Sequence, residues 1–211
     1  MTDKQRAAKV LELLAERYPD LETHLMAESP WELLVATVLA AQCTDKRVNM
    51  VTARLFPLYP DAKALAQLEP EELEPLIKEC GLYRNKAKNI IAACRALVER
   101  YDGEVPQTRE ELMALPGVGQ KTAGVVLMAA FGDPQIPVDT HVFRLSRRIG
   151  LADADTPEKV EKQLRELLDK DIWTFGHHLL IWHGRRCCHA QRPDCENCPL
   201  NAALCGHCVD K

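Results

Sequence analysis

The sequence lacks any hydrophobic segment long enough to cross a membrane. Its longest uninterrupted apolar run extends only from Val125 to Phe131, whereas a transmembrane helix needs roughly 20 apolar residues. The first residues are polar and contain no hydrophobic core of a secretion signal. We therefore expect a protein of the cytoplasm that has no membrane partner.

The chain also has few aromatic residues, 5%, and no large excess of charge of one sign. Its net charge of −4 argues against a strong and diffuse attraction to nucleic acid. A local basic face remains compatible with this value, because arginines gather at residues 144–148 and 185–186. Acidic residues crowd residues 69–79 and 153–171 instead.

Alternation of apolar and polar side chains, the mark of a half-buried strand, is absent from the sequence. Apolar residues instead recur at helical spacing, and turn or capping residues separate the periodic segments. Ser29 with Glu32, and Thr108 with Glu111, have the spacing of a capping box. The sequence therefore predicts an all-α protein. Its clearest helices are expected near residues 4–18, 30–39, 45–56, 70–80, 83–101, 120–131 and 172–183.

Nine cysteines, an odd number, are a poor basis for a disulfide framework in a cytoplasmic protein. A chain of 211 residues buries enough surface to fold without such bonds. Cys43, Cys80 and Cys94 lie in apolar patterns and are predicted core residues. The other six all lie within residues 187–208, which indicates a local function.

Four of these six follow the spacing Cys188-x6-Cys195-x2-Cys198-x6-Cys205. Four thiolates so close in sequence can hold a tetrahedral zinc ion or an iron–sulfur cluster. Cys205 and Cys208 form a second C-x-x-C pair, which suits zinc, although the pairs are closer together than in a usual zinc ribbon. The spacing predicts a metal site and leaves both kinds open.

Two glycines precede the longest apolar run, in the stretch from Leu115 to Ala123. A tight turn at Gly117 and Gly119 that opens a helix presents backbone N–H groups at the positive end of the helix dipole, which suits a phosphate oxygen. Lys121 falls in the first turn of that helix. Taken alone, the stretch fits equally well a loop entering a buried helix, with Lys121 as an ordinary surface charge.

A second polar feature is the segment Val138-Asp139-Thr140-His141, which follows a rigid loop. It places a carboxylate at the N-terminus of a predicted helix. Aspartate is a good helix cap, so a purely structural role for Asp139 is the simpler interpretation of this segment alone.

Together these features resemble the endonuclease III family, bifunctional DNA glycosylases of the helix–hairpin–helix superfamily with a [4Fe–4S] cluster. The resemblance covers almost the whole chain, and the combination of motifs is highly specific. The motifs are Ala41-Gln-Cys-Thr-Asp45, Gly81-Leu-Tyr-Arg-Asn-Lys86, Leu115-Pro-Gly-Val-Gly-Gln-Lys-Thr-Ala123, Val138-Asp-Thr-His141 and His183-Gly-Arg185 leading into the cysteines.

The resemblance implies an enzyme of base excision repair that acts on duplex DNA with oxidised or ring-saturated pyrimidines or abasic sites. The damaged nucleotide must be flipped out of the stack to be reached. Lys121 would attack C1′ of the sugar, displace the base and form a Schiff base, after which β-elimination cuts the strand on the 3′ side. Asp139 would stabilise the positive charge that develops on the sugar.

Such amine catalysis needs a neutral lysine, whereas an ordinary lysine is almost fully protonated at neutral pH. A helix N-terminus and a desolvated pocket both disfavour an ammonium. We therefore expect both features around Lys121.

The resemblance also implies a set of DNA contacts. Gln42 and Leu82 would fill the gap left by the flipped nucleotide, and Asp45 and His141 would line its pocket. Gly117, Val118 and Gly119 would bind backbone phosphate through their N–H groups. Core packing remains the alternative for Leu82, and a buried structural role remains the alternative for His141. Phosphate contacts and a solvated surface are equally compatible with Arg147, Arg148, Arg185 and Arg186.

For the metal site, the resemblance implies a [4Fe–4S] cluster on Cys188, Cys195, Cys198 and Cys205. The spacing departs from the family, in which five residues rather than six separate the last two ligands. Either the loop before Cys205 accommodates one more residue or Cys208 replaces Cys205 as the fourth ligand. Cys187 is expected to take no part.

The implied architecture is two-lobed. Residues 22–132 would form a helical barrel with the hairpin at about 109–131, and residues 1–21 with 133–211 would form a cluster domain with its loop at 188–205. Lys121 and Asp139 would face each other across the cleft. We expect a monomer associated with the nucleoid.

Two other functions were compared with this one. An adenine-specific mismatch glycosylase shares the fold and cluster, but it lacks a lysine at the hairpin position and usually has a further C-terminal domain. A non-catalytic protein that binds damaged DNA and carries a zinc clip would have no need of the Lys121 and Asp139 pair.

Overall fold

The computed structural model describes residues 1–20, 25–200 and 202–207. Across these residues the chain forms eleven α-helices, two short 3-10 helices and no β-strand. The all-α class predicted from the periodicity is therefore confirmed. Within the same ranges, no helix combines the length and the apolar character needed to span a bilayer.

The helices follow one another with short connections. They are α1 (Asp3–Arg17), α2 (Pro30–Leu39), α3 (Asp45–Leu55), α4 (Ala62–Ala66), α5 (Pro70–Ile77), α6 (Tyr83–Tyr101), α7 (Arg109–Met113), α8 (Gln120–Phe131), α9 (Thr140–Ile149), α10 (Pro157–Leu167) and α11 (Trp173–Arg186). The 3-10 helices are Lys78–Cys80 and Lys170–Ile172.

Local capping explains where most helices begin. The hydroxyls of Ser29 and Thr108 accept hydrogen bonds from the amides of Glu32 and Glu111, as the capping patterns predict. The reciprocal half of the first capping box differs from the prediction. The Glu32 carboxylate accepts from the amide of Glu28, at 2.6 Å, one residue before the cap.

The chain divides into two compact units. One unit is Thr23–Asp133, whose core forms where α6 packs on α4 and α5 and where α2 packs on α8. The other is Met1–Glu22 with Pro134–Lys211, whose core forms where α11 packs on α9 and α1. Each unit thus has its own hydrophobic core.

Helix α8 is less buried than its apolar sequence suggests. Ala123, Val126 and Leu127 are buried, whereas Lys121 and Ala129 are exposed. The predicted position in the middle of the fold is therefore correct for one side of the helix only. Among the isolated cysteines, Cys80 and Cys94 are buried as predicted, while Cys43 is only half-buried.

Candidate active site

The turn before α8 has the chemistry its sequence indicates. The amide of Val118 donates to the carbonyl of Leu115 over 3.2 Å, and Gly117 has a φ of 79°. Proline at the second position and glycine with positive φ at the third are the requirements of a type II turn, and Pro116 and Gly117 occupy these positions. The Val118 amide is consumed by the turn and its side chain is buried. Of the three amides predicted to bind phosphate, this one is therefore already engaged.

The turn also packs tightly on α6. A Cβ atom at Gly117 would lie 2.6 Å from Cβ of Asn89, far inside van der Waals contact. Glycine is therefore required twice at this position, by the backbone angle and by the neighbouring helix.

Gly119 has no such structural requirement. It is the N-cap of α8 with φ −92°, which any residue can adopt, and an added Cβ would meet no atom of the described residues within 4 Å. No side chain caps the helix at this end. A glycine that the fold does not require indicates close approach of a ligand to the backbone, and first-turn amides at a helix N-terminus suit an anion.

Lys121 lies in the first turn of α8, one residue after Gln120, and its side chain is exposed. The predicted position at a helix N-terminus is therefore present. The predicted desolvated pocket is not, since the described residues leave the amine in contact with solvent. Any desolvation of this amine must come from a bound substrate.

Asp139 is the N-cap of α9. Its Oδ1 accepts hydrogen bonds from the amides of His141 and Val142, each 2.8 Å long. The capping role suggested as the simpler interpretation is therefore real. Both bonds end on Oδ1, which leaves Oδ2 outside the cap, so the carboxylate is held in place with one oxygen directed to other work.

His141, half-buried in the first turn of α9, packs against α11 at a glycine. A Cβ at Gly184 would lie 2.9 Å from His141 Nδ1, and Nη2 of Arg144 lies 3.2 Å from the same nitrogen. Burial lowers the pKa of His141 from its usual value, and although Asp139 opposes the shift, Arg144 and Arg185 add to it. The imidazole is therefore neutral at neutral pH.

The remaining predicted contacts lie in the Thr23–Asp133 unit. Asp45 begins α3 behind its cap, Thr44, and is half-buried. Gln42 and Leu82 are both exposed, and both have a left-handed backbone, with φ of 54° and 49°. Leu82 is 56% exposed, so the alternative of core packing for this residue is wrong. Left-handed backbone is uncommon for residues other than glycine, and it often marks functional positions.

The four predicted metal ligands lie around one cavity. Cys188, Cys195, Cys198 and Cys205 all line it, together with His183 and several apolar residues. Cys205 is buried there, so the loop with the additional residue does bring it to the other three. Cys208, the alternative fourth ligand, lies outside the described residues.

Arginines secure the loop that carries these cysteines. Arg144 donates to the carbonyls of Gly184 and Cys188, at 3.0 and 2.9 Å. Arg148 donates to the carbonyl of His189 at 2.6 Å and lies 3.5 Å from the Cys188 sulfur. Arg148 therefore has a structural task rather than a solvated surface position. The sequence offered no signal for this, because the acceptors lie about 40 residues away along the chain.

A second grouping at the cavity was not foreseen. The ligand atoms of His183, Cys187 and Cys198 lie within 4.8 Å of one another. His183 Nε2 is 3.6 Å from Cys198 Sγ, and its Nδ1 is 3.1 Å from the hydroxyl of Tyr18. Cys187, which the sequence suggested takes no part, is therefore a neighbour of the site.

Comparison with known proteins gives these observations a family. Residues 35–170 match the model of the HhH-GPD superfamily, base excision DNA repair proteins. Endonuclease III of Synechocystis is 52% identical over 204 residues, which cover 96% of this chain and 92% of the relative. Endonuclease III of Escherichia coli K12 is 45% identical over 196 residues, which cover 93% of each. The chain belongs to the endonuclease III family.

Solved structures agree. A trapped covalent intermediate of an endonuclease III with DNA has a TM-score of 0.94 and 47% identity, with 99% of this chain and 98% of that chain covered. A thermostable thymine-DNA glycosylase shares the fold, with a TM-score of 0.87, at 20% identity over 97% of each chain.

As an endonuclease III family member, the chain is a DNA N-glycosylase with an abasic-site lyase activity. The two alternatives, an adenine-specific mismatch glycosylase and a non-catalytic damage-binding protein, are not favoured by these relatives. The prediction of a bifunctional repair enzyme is confirmed, and a cysteine-rich site accompanies it.

Proposed function

We propose that this enzyme excises oxidised or ring-saturated pyrimidines from duplex DNA and cuts the strand through a Schiff base on Lys121. The neutral amine attacks C1′, and the base leaves with the electrons of its glycosidic bond and takes up a proton. Loss of a proton from C2′ of the Schiff base then expels the 3′ phosphate. The carrying observation is an exposed Lys121 directly after an uncapped glycine turn.

Asp139 is proposed to stabilise the positive charge on the sugar as the base departs. Its geometry supports this, because Oδ1 is fixed by two amides while Oδ2 stays outside the cap. A carboxylate held rigidly by a helix N-terminus acts with little reorganisation, which is the basis of electrostatic stabilisation.

Duplex DNA with a damaged pyrimidine or an abasic site is the proposed partner, bound by a monomer in the cytoplasm at the nucleoid. The amides of Gly117 and Gly119 would bind backbone phosphate, and Gln42 and Leu82 would fill the gap left by the flipped nucleotide. Asp45 and His141 would line its pocket. Support comes from the bare cap at Gly119 and from the exposed, left-handed Gln42 and Leu82.

We further propose a [4Fe–4S] cluster held by Cys188, Cys195, Cys198 and Cys205. The donor set fits, since four cysteines that share one cavity match the thiolate ligation of such clusters, and Arg148 beside the Cys188 sulfur provides a cation near their negative charge. When bound, the cluster would secure the C-terminal loop of a cluster domain formed by residues 1–21 and 133–211. Residues 22–132 would form the helical barrel.

Borohydride reduction tests the chemistry directly, because it converts a Schiff base with abasic-site DNA into a stable covalent adduct. We expect the wild type to be trapped and Lys121→Ala to give no adduct. Thermal stability should be unchanged, since the side chain is exposed. The matched control is Lys88→Ala, which removes another exposed lysine of the same unit and should trap normally. An adduct of wild-type yield in Lys121→Ala would exclude the proposed nucleophile.

Substrate class is tested with duplexes that carry a ring-saturated pyrimidine, an oxidised pyrimidine, an oxidised purine or no damage. We expect strand cleavage for the first two only. For the metal, a brown protein with visible absorption and bound iron is expected, and Cys205→Ser should lose iron while Cys187→Ser keeps it. A colourless protein that contains zinc would contradict the cluster.

A further inference from the structure

Lys86 is a buried lysine that the proposed mechanism does not use. Its side chain lies in the first turn of α6 and is 5% exposed. The Nζ atom donates to the carbonyl of Leu39 and to the carbonyl of Cys80, each over 2.8 Å. Leu39 ends α2 and Cys80 ends the first 3-10 helix, so one ammonium joins the ends of two helices.

Both acceptors are of the kind that helix ends leave without partners. The amide that would continue the helical pattern to Leu39 belongs to Cys43, but it donates to Ala40 instead, over 3.1 Å. A cation at this end of a helix is also favoured by the helix dipole. Lys86 therefore satisfies carbonyls that no regular helix bond reaches.

This arrangement has a clear cost. Burial lowers the pKa of the Lys86 ammonium, and the titratable groups that oppose this shift are the thiols of Cys80 and Cys43. Burial raises the pKa of Cys80 to about 11, so this thiol is neutral at neutral pH. The ammonium thus has carbonyls rather than a carboxylate as partners, and an apolar side chain would avoid its desolvation. Retention of the charge indicates a requirement for local geometry.

The geometry concerned is that of two exposed residues. Gln42 follows Leu39 by three residues, and Leu82 follows Cys80 by two. Both have the left-handed backbone that L-amino acids disfavour, so neighbouring contacts must impose it. The hydrogen bonds of Lys86 fix the chain immediately before each of them. The thiols of Cys43 and Cys80, which are hydrogen bonded to each other, show that the two segments also touch.

We propose that Lys86 is a positioning residue that holds Gln42 and Leu82 in register with one another, so that both side chains enter the DNA stack as one unit. The inference rests on the proposed gap-filling role of these two residues. It adds that their insertion is coupled, and that a single buried ammonium provides the coupling.

The test reads insertion without chemistry. A duplex carries a tetrahydrofuran abasic-site analogue, which cannot react, opposite the fluorescent base 2-aminopurine. At saturating protein, the wild type should change the fluorescence, because inserted side chains alter the stacking of that base. Lys86→Met should lose most of this change. On a duplex with a ring-saturated pyrimidine its single-turnover rate should fall roughly ten-fold, since misplacement of positioning groups costs up to about two powers of ten.

The matched control is Lys88→Met, which removes the same charge from an exposed position of the same helix and should behave as the wild type. A mutant cycle separates positioning from general structure. If Lys86 acts through Gln42 and Leu82, adding Lys86→Met to the Gln42→Ala/Leu82→Ala variant should cause no further loss. Should Lys86→Met melt below the assay temperature, Lys86→Gln, which keeps an N–H donor, takes its place under the same criteria.

Two outcomes would overturn the proposal: a wild-type fluorescence change in the Lys86 variant, or an equal loss of rate in both backgrounds of the cycle. Failure of the proposed function looks different. If Lys121 is not the nucleophile, trapping fails while the fluorescence change persists, because the analogue requires no covalent step.

Discussion

Helices α8 and α9 begin in opposite ways, although each presents a predicted catalytic residue at its N-terminus. Helix α8 begins at Gly119 without a side-chain cap, and Lys121 is exposed in its first turn. Helix α9 begins at Asp139, whose carboxylate already occupies two first-turn amides. One helix end is open to an anion from outside, and the other contains its own anion.

The difference shows how one structural element supports two kinds of chemistry. An uncapped N-terminus keeps its donors and positive dipole for a ligand phosphate. A capped one uses the same donors to fix a carboxylate where charge must be stabilised. Exchanging the two kinds of cap should therefore exchange function for stability, in amounts that can be measured.

Asp139→Asn should give the largest effect. An asparagine oxygen still caps α9, so the free energy of unfolding should change by less than about 1 kcal/mol. The negative charge is lost, and the single-turnover rate should fall about 100-fold or more, the usual scale for such a group. Asp139→Ala should lose about 1 kcal/mol of stability in addition. A wild-type rate in Asp139→Asn would reduce this residue to a cap.

Gly119→Asp would give α8 the kind of cap that α9 has. Stability should rise by a few tenths of about 1 kcal/mol, because the cap position has room and an extended backbone. Affinity for a duplex with an abasic-site analogue should fall about ten-fold, or ~1.4 kcal/mol, since the carboxylate takes the amides and repels phosphate. Fluorescence anisotropy measures this, with Gly119→Asn as the uncharged control. Unchanged affinity in Gly119→Asp would argue against phosphate at this helix end.

Gly117→Ala separates the turn from the cap. The added Cβ would collide with Asn89, and the φ of 79° is disfavoured for alanine, so we expect a loss of about 1–3 kcal/mol in unfolding free energy. Chemical denaturation measures the loss. Part of it should be recovered when Asn89→Gly removes the colliding atom. No recovery would assign the whole loss to the backbone angle.

His141 should give the smallest effect, one that depends on pH. Its folded-state pKa is lowered by burial, so the unfolded chain takes up the proton first as the pH falls below the usual value of 6.5. Stability should therefore decrease between pH 7.5 and the folded-state pKa, and the decrease should be smaller in His141→Asn. Urea unfolding at pH 7.5 and 5.5 compares the two. Equal decreases would mean that Asp139, which favours the protonated form, outweighs the burial.

Much of the framework could be predicted because it depends on neighbours in the chain. Helix α6 has the predicted bounds, Tyr83 to Tyr101, since helical spacing between Gly81 and Asp102 suffices to define it. The turn at Gly117 follows equally from proline and glycine in adjacent positions. The burial expected around Lys121 was wrong, because apolar periodicity reports one side of a helix and not the exposure of its first turn.

The sequence by itself determined where the helices begin and end, where the glycine turn lies, and which four cysteines could share a metal, since capping, turn chemistry and spacing act within a few residues. Only the tertiary structure decided that Leu82 is exposed, that Lys86 is buried against Leu39 and Cys80, and that arginines of α9 secure the cysteine loop. The physical reason is that these features depend on groups distant in sequence, whose meeting is set by how the helices pack into each core.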